Sequence, residues 1–165
     1  ERNGDIRQVE RWSPWLKQIS RSVHEATAQF LVRAEAGEIR SSSLSATEQA
    51  VVSDAVRLDS CITRSWLLEG DIQIPYAADR PAGPALVHLL VLAIDPVATQ
   101  RLEEDEHSIA TRYESVLQLL LPPDQMPVVQ TYFTTESIPD AYEAHPHIPY
   151  GADAPQRCGV QLGSR

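Results

Sequence analysis

The longest apolar run in the sequence is ALVHLLVLAI, from Ala85 to Ile94, and His88 is its one polar residue. These ten residues are too few to cross a bilayer as a helix, which takes about 20. A short helix that is apolar on every side is typical of burial all round. We therefore predict a buried helix over residues 84–94, with His88 as the polar group inside it.

Start signals on either side of this run predict further helices. Ser13 supplies a cap before a proline at the first helical position, and Ser45 and Glu48 have the spacing of a capping box. Asp95 and the proline after it repeat the first signal directly after the apolar run. The predicted helices span residues 15–36, 45–69, 84–94 and 96–121, with a short candidate over 124–136.

The order of these elements indicates the fold class. The stretch from Asp71 to Pro84 holds three prolines and a glycine and is predicted to be a long crossover loop. Two long helices, this crossover, a short apolar helix and another long helix have the connectivity of ferritin-like folds. We predict an all-α, ferritin-like four-helix bundle over residues 1–143, with one long crossover connection. Residues 144–165 show no periodicity and are predicted to form an extended or disordered tail.

Composition and charge limit the partners. The 165 residues include 23 acids against 14 lysines and arginines, for a net charge of −9, with no basic cluster. Such a chain repels the phosphates of nucleic acids and of anionic membranes. The two cysteines have neither the spacing of a disulfide framework nor that of a zinc site. We predict a cytoplasmic protein without nucleic-acid or membrane partners, which forms a homo-oligomer or binds another protein.

Four consecutive acids lie in the last long predicted helix, at positions 103–106, and His107 follows them. Each helical residue turns about 100 degrees, so the four sweep too wide an arc for all of them to face water. On a helical wheel Glu106 falls about 40 degrees from Leu102, which begins the apolar stripe, and Glu103 lies one turn before it. We interpret most of these acids as a solvated face, and Glu106 as an inward-facing carboxylate that needs a partner.

A metal ion is one such partner. His88 could join the carboxylates, because imidazole and carboxylate ligands together suit iron, manganese or zinc. A lone histidine in an apolar run is also typical of a hydrogen-bonded core residue, so both interpretations stay open. Asp59, on the flank of the second predicted helix, is a further candidate. The candidate metal ligands are His88, Glu103, Glu106, His107 and Asp59.

Several of these features together resemble a known family. AGPALVH at residues 82–88 precedes an acidic helix with a tyrosine at position 113, and LPPD follows at residues 121–124. In these features the chain resembles the uncharacterised bacterial ferritin-like domains, over residues 16–142. The resemblance implies a ferritin-like four-helix fold, and metal binding by analogy with the superfamily.

The resemblance also implies a set of site residues. His88 takes the place of the family histidine, and Glu103 and Glu106 take those of its two glutamates. Asp105 stands where the family has a glycine, and His107 where it has an aspartate. This set overlaps the candidate ligands named from the residue pattern.

Two functions follow from these predictions. The first, which we favour, is a non-catalytic helical-bundle protein that acts as a self-association or protein-association module. The alternative is a ferritin-like metal-binding protein or oxidase with an iron or manganese carboxylate-histidine site in the bundle. Metal content would distinguish the two functions.

Overall fold

The chain folds into a four-stranded sheet with helices on both faces, in a computed structural model that describes residues 2–74 and 83–148. The first half contains α1 (Arg2–Glu35), β1 (Arg40–Ser41), α2 (Ala46–Leu58) and β2 (Ile62–Ile74). The second half contains β3 (Gly83–Ile94), α3 (Pro96–Leu102), α4 (Glu106–Leu120), β4 (Met126–Phe133) and α5 (Asp140–Glu143). The all-α prediction is therefore wrong.

The sheet is mixed, and its strands follow the order β1-β2-β3-β4. β1 pairs antiparallel with β2, and β2 pairs antiparallel with β3 along almost its whole length. β4 pairs parallel with β3, from Val87 opposite Met126 to Ile94 opposite Phe133. A parallel neighbour requires a crossover connection, and α3 and α4 form that connection.

The apolar run that we predicted as a buried helix is β3, the central strand. Val87, Leu89 and Val91 contribute to the core beneath α1, and Leu90 and Leu92 to the core beneath α2 and α4. A strand covered on both faces reads as a continuous apolar run, so hydrophobic periodicity does not distinguish it from a short buried helix. The predicted burial is confirmed, but the predicted helix over 84–94 is wrong.

The second predicted helix is correct at its beginning and wrong at its end. α2 begins after Ser45, and the capping box with Glu48 is present in both directions, as the spacing predicts. The helix ends at Leu58, and the remainder of the predicted range 45–69 lies mostly in β2. Alternate residues of that strand, Trp66 and Leu68 among them, face the core beneath α1, which is the period of a strand and not of a helix.

The other predicted helices differ from the structure in similar ways. α1 ends at Glu35, close to the prediction, but begins at Arg2, before the predicted residue 15. The helix predicted over 96–121 is two helices, because Glu103 adopts a left-handed conformation with φ of 54° and ends α3. The candidate helix over 124–136 contains strand β4.

The predicted loop and tail are only partly covered by the described residues. Residues 71–74 and 83–84 of the predicted crossover belong to strands, and 75–82 lie outside the described residues. Most of the predicted tail, residues 149–165, also lies outside them. At its beginning, the N–H of Ile148 donates to the carbonyl of Ser65 at 3.0 Å, so this segment follows the side of β2. None of the described helices combines the length and the hydropathy that a membrane span requires.

Candidate functional site

A buried polar pair lies in the middle of the sheet. Glu69 of β2 and His88 of β3 are directly opposite each other, and their side chains are only 3% and 1% exposed. Both lie on the face that α2 and α4 cover, because Leu90 and Leu92, which share parity with His88, belong to that core. Buried charged and polar groups need partners, so the contacts of these two residues decide their role.

The carboxylate of Glu69 holds the loop between β1 and α2. One of its oxygens accepts hydrogen bonds from the main-chain N–H of Ser43 at 2.7 Å and from the Ser43 hydroxyl at 2.5 Å. The other accepts from Nε of Arg40 at 2.8 Å. Burial by itself raises the pKa of Glu69, but the hydrogen bonds from Ser43 and Arg40 outweigh it and hold the pKa below its ordinary value.

His88 is hydrogen-bonded on both sides of its ring. Nε2 lies 2.7 Å from Oε1 of Gln125, and Nδ1 lies 3.4 Å from the hydroxyl of Ser42 and 4.0 Å from Glu69. A serine beside an oriented histidine is the arrangement that nucleophilic catalysis uses. A nucleophilic serine also needs free N–H groups beside it, which stabilise the negative charge that forms on the substrate. Here those groups are occupied, since the N–H of Ser43 bonds Glu69 and that of Leu44 bonds the Ser42 hydroxyl. The contacts indicate a satisfied core histidine.

Asp59 belongs to a separate cluster of ion pairs. It lies 2.5 Å from the guanidinium of Arg112 and accepts a hydrogen bond from Tyr113 at 3.1 Å. Glu104 pairs with the same guanidinium at 2.9 Å, and its hydrogen bonds raise the pKa of Arg112. These residues line a cavity of about 350 Å³. The cluster joins the end of α2 to the connection between α3 and α4.

The acidic stretch lies at a break between helices. Asp105 caps α4 by accepting from the N–H of Ser108 at 2.6 Å, and Glu103 ends α3. Because a new helix begins here, the helical-wheel angles counted from Leu102 do not apply to the residues of α4. Glu106 is exposed and accepts from the hydroxyl of Thr131 at 3.3 Å, so the prediction that it faces inward is wrong.

The five predicted metal ligands do not come together. His88 is buried in the sheet, and Asp59 is paired with an arginine. Glu103, Glu106 and His107 are exposed around the start of α4. In the part of the chain that the structure describes, no group of three or more histidine, cysteine or acidic side chains could hold a metal ion. The arrangement gives the predicted metal site no support.

A larger groove of about 640 Å³ runs along one side of α2. Leu67 of β2 also lines it, as do Pro146 and Ile148. Asp54 and Arg57, which also line it, lie 3.6 Å from each other and so offset each other's charge. The groove can accept a ligand by its size, but its polar groups do not indicate a chemical class.

The outer side of β4 offers a different kind of site. Thr134, just after the strand, donates its N–H to the carbonyl of Ile94 at 2.9 Å. In a strand, every second residue directs its N–H and C=O groups to the same side. Gln130 lies four residues before Thr134, so its main-chain groups also face β3. Val129 and Thr131 therefore direct their N–H and C=O groups outward. Among residues 2–74 and 83–148, no strand pairs with that side of β4.

Both ends of this outer side are blocked. Pro127, which has the same parity, has no N–H group, and proline in a sheet is confined to such outward positions. At the other end, the N–H of Phe133 donates to Oε2 of Glu136 at 2.7 Å, and its carbonyl accepts from the N–H of Glu136 at 2.8 Å. Within residues 2–74 and 83–148, the donors on this side that have no partner are therefore those of Val129 and Thr131. We call the outward main-chain groups of these two residues the β4 edge.

The β4 edge lies between two blocked ends, Pro127 and Phe133, and is itself without the charges that protect many strands at the side of a sheet. Natural edge strands commonly carry charges, particularly lysine, or are very short. β1, at the other side of the sheet, has two residues, whereas β4 has eight. The β4 sequence MPVVQTYF contains no charged residue, although the chain as a whole has a net charge of −9. The two open residues between the blocked ends, Val129 and Thr131, are a template for a further strand.

One sequence signal for this edge was present. A proline inside a short β-branched run, as in Met126–Phe133, indicates an edge strand.

Comparison of the chain with protein-family models, with curated proteins and with solved structures gives no significant match. The ferritin-like resemblance is therefore wrong, since no family model matches the chain and its core is a mixed four-stranded sheet and not a helical bundle.

Proposed function

We propose that this chain is a non-catalytic protein-association module, which binds an extended strand along the β4 edge. The observation that carries the proposal is the pair of outward residues, Val129 and Thr131, on an uncharged strand of eight residues. Addition of a strand to an exposed sheet edge is a recurring mode of peptide recognition, in which main-chain hydrogen bonds provide the affinity.

The buried polar residues support a non-catalytic role. Catalytic groups must reach a substrate, and Glu69 and His88 are almost entirely enclosed. Their hydrogen bonds lead to the loop before α2 and to Gln125, the residue before β4. This network fixes the start of β4 to the central strand and so supports a rigid edge.

Thr131→Pro tests the proposal. The substitution removes an outward N–H and no hydrogen bond to β3, because residue 131 faces away from that strand. The probe is an acetylated and amidated peptide with the sequence of residues 127–133, and its binding is measured by fluorescence anisotropy on dilute protein. We expect saturable binding to the unaltered protein and at least about tenfold weaker binding to the variant, since strand addition depends on such donors.

Thr131→Val is the matched control. It keeps the N–H and removes the hydroxyl that contacts Glu106, so the peptide should bind it as it binds the unaltered protein. Circular dichroism and thermal unfolding establish that both variants are folded. Equal binding to the folded proline variant, or no binding to the unaltered protein, would contradict the proposal.

A further inference from the structure

We infer that the strand received by the β4 edge is β4 of a second copy, antiparallel to the first, with a two-fold axis at Gln130. The inference rests on the proposed function and names its partner. An exposed strand edge can accept many sequences, so the identification depends on features that match the edge to itself.

The first feature is the symmetry of the unpaired groups. Val129 and Thr131 lie one residue before and one residue after Gln130. In an antiparallel pair, two residues opposite each other exchange both N–H···O bonds, and such pairs alternate with non-hydrogen-bonded ones. With the axis at Gln130, Val129 of each copy lies opposite Thr131 of the other. All four outward N–H groups of the two copies then find a carbonyl.

The second feature is the match at the two ends. In the same register, Pro127 of one copy lies opposite Phe133 of the other. Pro127 has no N–H to donate, and the carbonyl of Phe133 that would receive it already accepts from Glu136 at 2.8 Å. The N–H of Phe133 is likewise occupied by the Glu136 carboxylate at 2.7 Å. The pairing therefore ends before this position, and it leaves no buried donor unpaired, because Pro127 has no N–H and Glu136 accepts that of Phe133.

The third feature is the charge of the strand. Two copies that each carry a net charge of −9 repel, and like charges placed directly opposite each other across strands destabilise a pair. Directly opposite positions of the two β4 strands carry no charge, because β4 has no charged residue, although the carboxylates of Glu35 and Glu106 approach the strand from α1 and α4. The resulting dimer has one continuous sheet, in which the four strands of each copy meet at β4. Two-fold symmetry of this kind is the commonest form of oligomer.

Disulfide trapping tests the register. Gln130→Cys places two thiols at the non-hydrogen-bonded pair on the axis, where Cα atoms lie about 4.5 Å apart and a disulfide can form. Thr131→Cys is the matched control, because its two Cα atoms are roughly 8 Å apart, beyond the reach of a disulfide. Both variants are made with Cys158→Ser, and Cys61 is buried. We expect at least fivefold more covalent dimer for Gln130→Cys after oxidation by glutathione, judged on a non-reducing gel.

Sedimentation equilibrium tests the association itself. The unaltered protein and Thr131→Val should show a concentration-dependent monomer–dimer equilibrium, and Thr131→Pro should weaken it at least tenfold. Equal trapping of the two cysteine variants, or none of Gln130→Cys, overturns the inferred register. If the peptide probe binds but the protein remains a monomer at every concentration, the inference fails and the proposed function stands. If neither the peptide nor a second copy binds, both fail.

Discussion

At the scale of single residues, the polar side chains inside the sheet are positioned by partners that are distant in the sequence. The burial of His88 follows from the apolar run around it, and the structure confirms that burial. Its partners Ser42 and Gln125 are 46 and 37 residues away, so no local pattern reveals them. Glu69 was predicted to lie in a helix, and its role as the anchor of the Ser43 loop was missed for the same reason.

Glu69→Gln should destabilise the protein. The amide keeps the size of the side chain but loses the charge that accepts from Ser43 and Arg40, and charge-assisted bonds contribute about 2 kcal/mol. Asp71→Asn is the matched control, since Asp71 pairs with the same Arg40 but is exposed. A surface pair contributes at most about 1 kcal/mol, so this variant should change stability little. Urea unfolding measures both, and equal effects would contradict the anchoring role of Glu69.

The lowered pKa of Glu69 predicts a dependence on pH. A carboxylate whose pKa is lower in the folded state stabilises the fold fully above its ordinary pKa. That contribution is lost as the pH falls below 4.5, the ordinary value, and through the lowered folded pKa. The difference in unfolding free energy between the unaltered protein and Glu69→Gln should therefore shrink as the pH decreases from 5 to 3. A difference that stays constant over this range would refute the linkage.

At the scale of elements, the main difficulty is to distinguish a strand buried on both faces from a buried helix. ALVHLLVLAI fits either one, and its length of ten residues favours a helix, since buried strands are usually shorter. β-Branched and aromatic residues in the neighbouring stretch ITRSWLLEGDIQI favour a strand, and its proline-containing connection to β3 fits a long hairpin. Of the three start signals, the one at Ser13 was wrong, because α1 begins at Arg2, and the other two were correct, because capping depends on contacts within one turn. The caps at Ser45 and Asp95 are both present.

The packing of α1 on β2 depends on the absence of a side chain at Gly70. A Cβ atom there would lie 2.7 Å from Cε2 of Phe30, closer than packed atoms approach. Gly70→Ala should therefore cost about 1–3 kcal/mol through overpacking. In a Phe30→Leu background the cost should be smaller, because the edge of the ring is gone. A double-mutant cycle measures this coupling, and additive effects would show that Phe30 does not limit the space.

At the scale of the whole molecule, the sheet is covered on both faces and differs at its two sides. The two cores, beneath α1 and beneath α2 and α4, enclose the central strands. β1 has two residues, and β4 has eight, of which Val129 and Thr131 form the β4 edge. The molecule is acidic as a whole but has an uncharged strand at one side of its sheet. A second copy that binds there is repelled by the negative charges on the remainder of the surface.

The inferred dimer should strengthen when salt is added. Repulsion between two copies of net charge −9 is screened over about 30 Å at 0.01 M salt and about 10 Å at 0.1 M. The main-chain hydrogen bonds at the β4 edge involve no ions. The dissociation constant from sedimentation should therefore fall about three- to tenfold between 0.01 and 0.15 M sodium chloride. Weaker association at the higher salt concentration would indicate an interface built on ion pairs.

The sequence by itself determined features that depend on neighbouring residues or on total composition. These are the start of α2 at Ser45, the end of α1 near residue 35, the burial of the run around His88 and the acidic net charge. Only the tertiary structure decided which apolar segments are strands, because the covering of both faces of β3 removes the alternation that identifies a strand. It also decided which acids are buried and which edge stays unpaired, since these depend on residues brought together from distant parts of the chain.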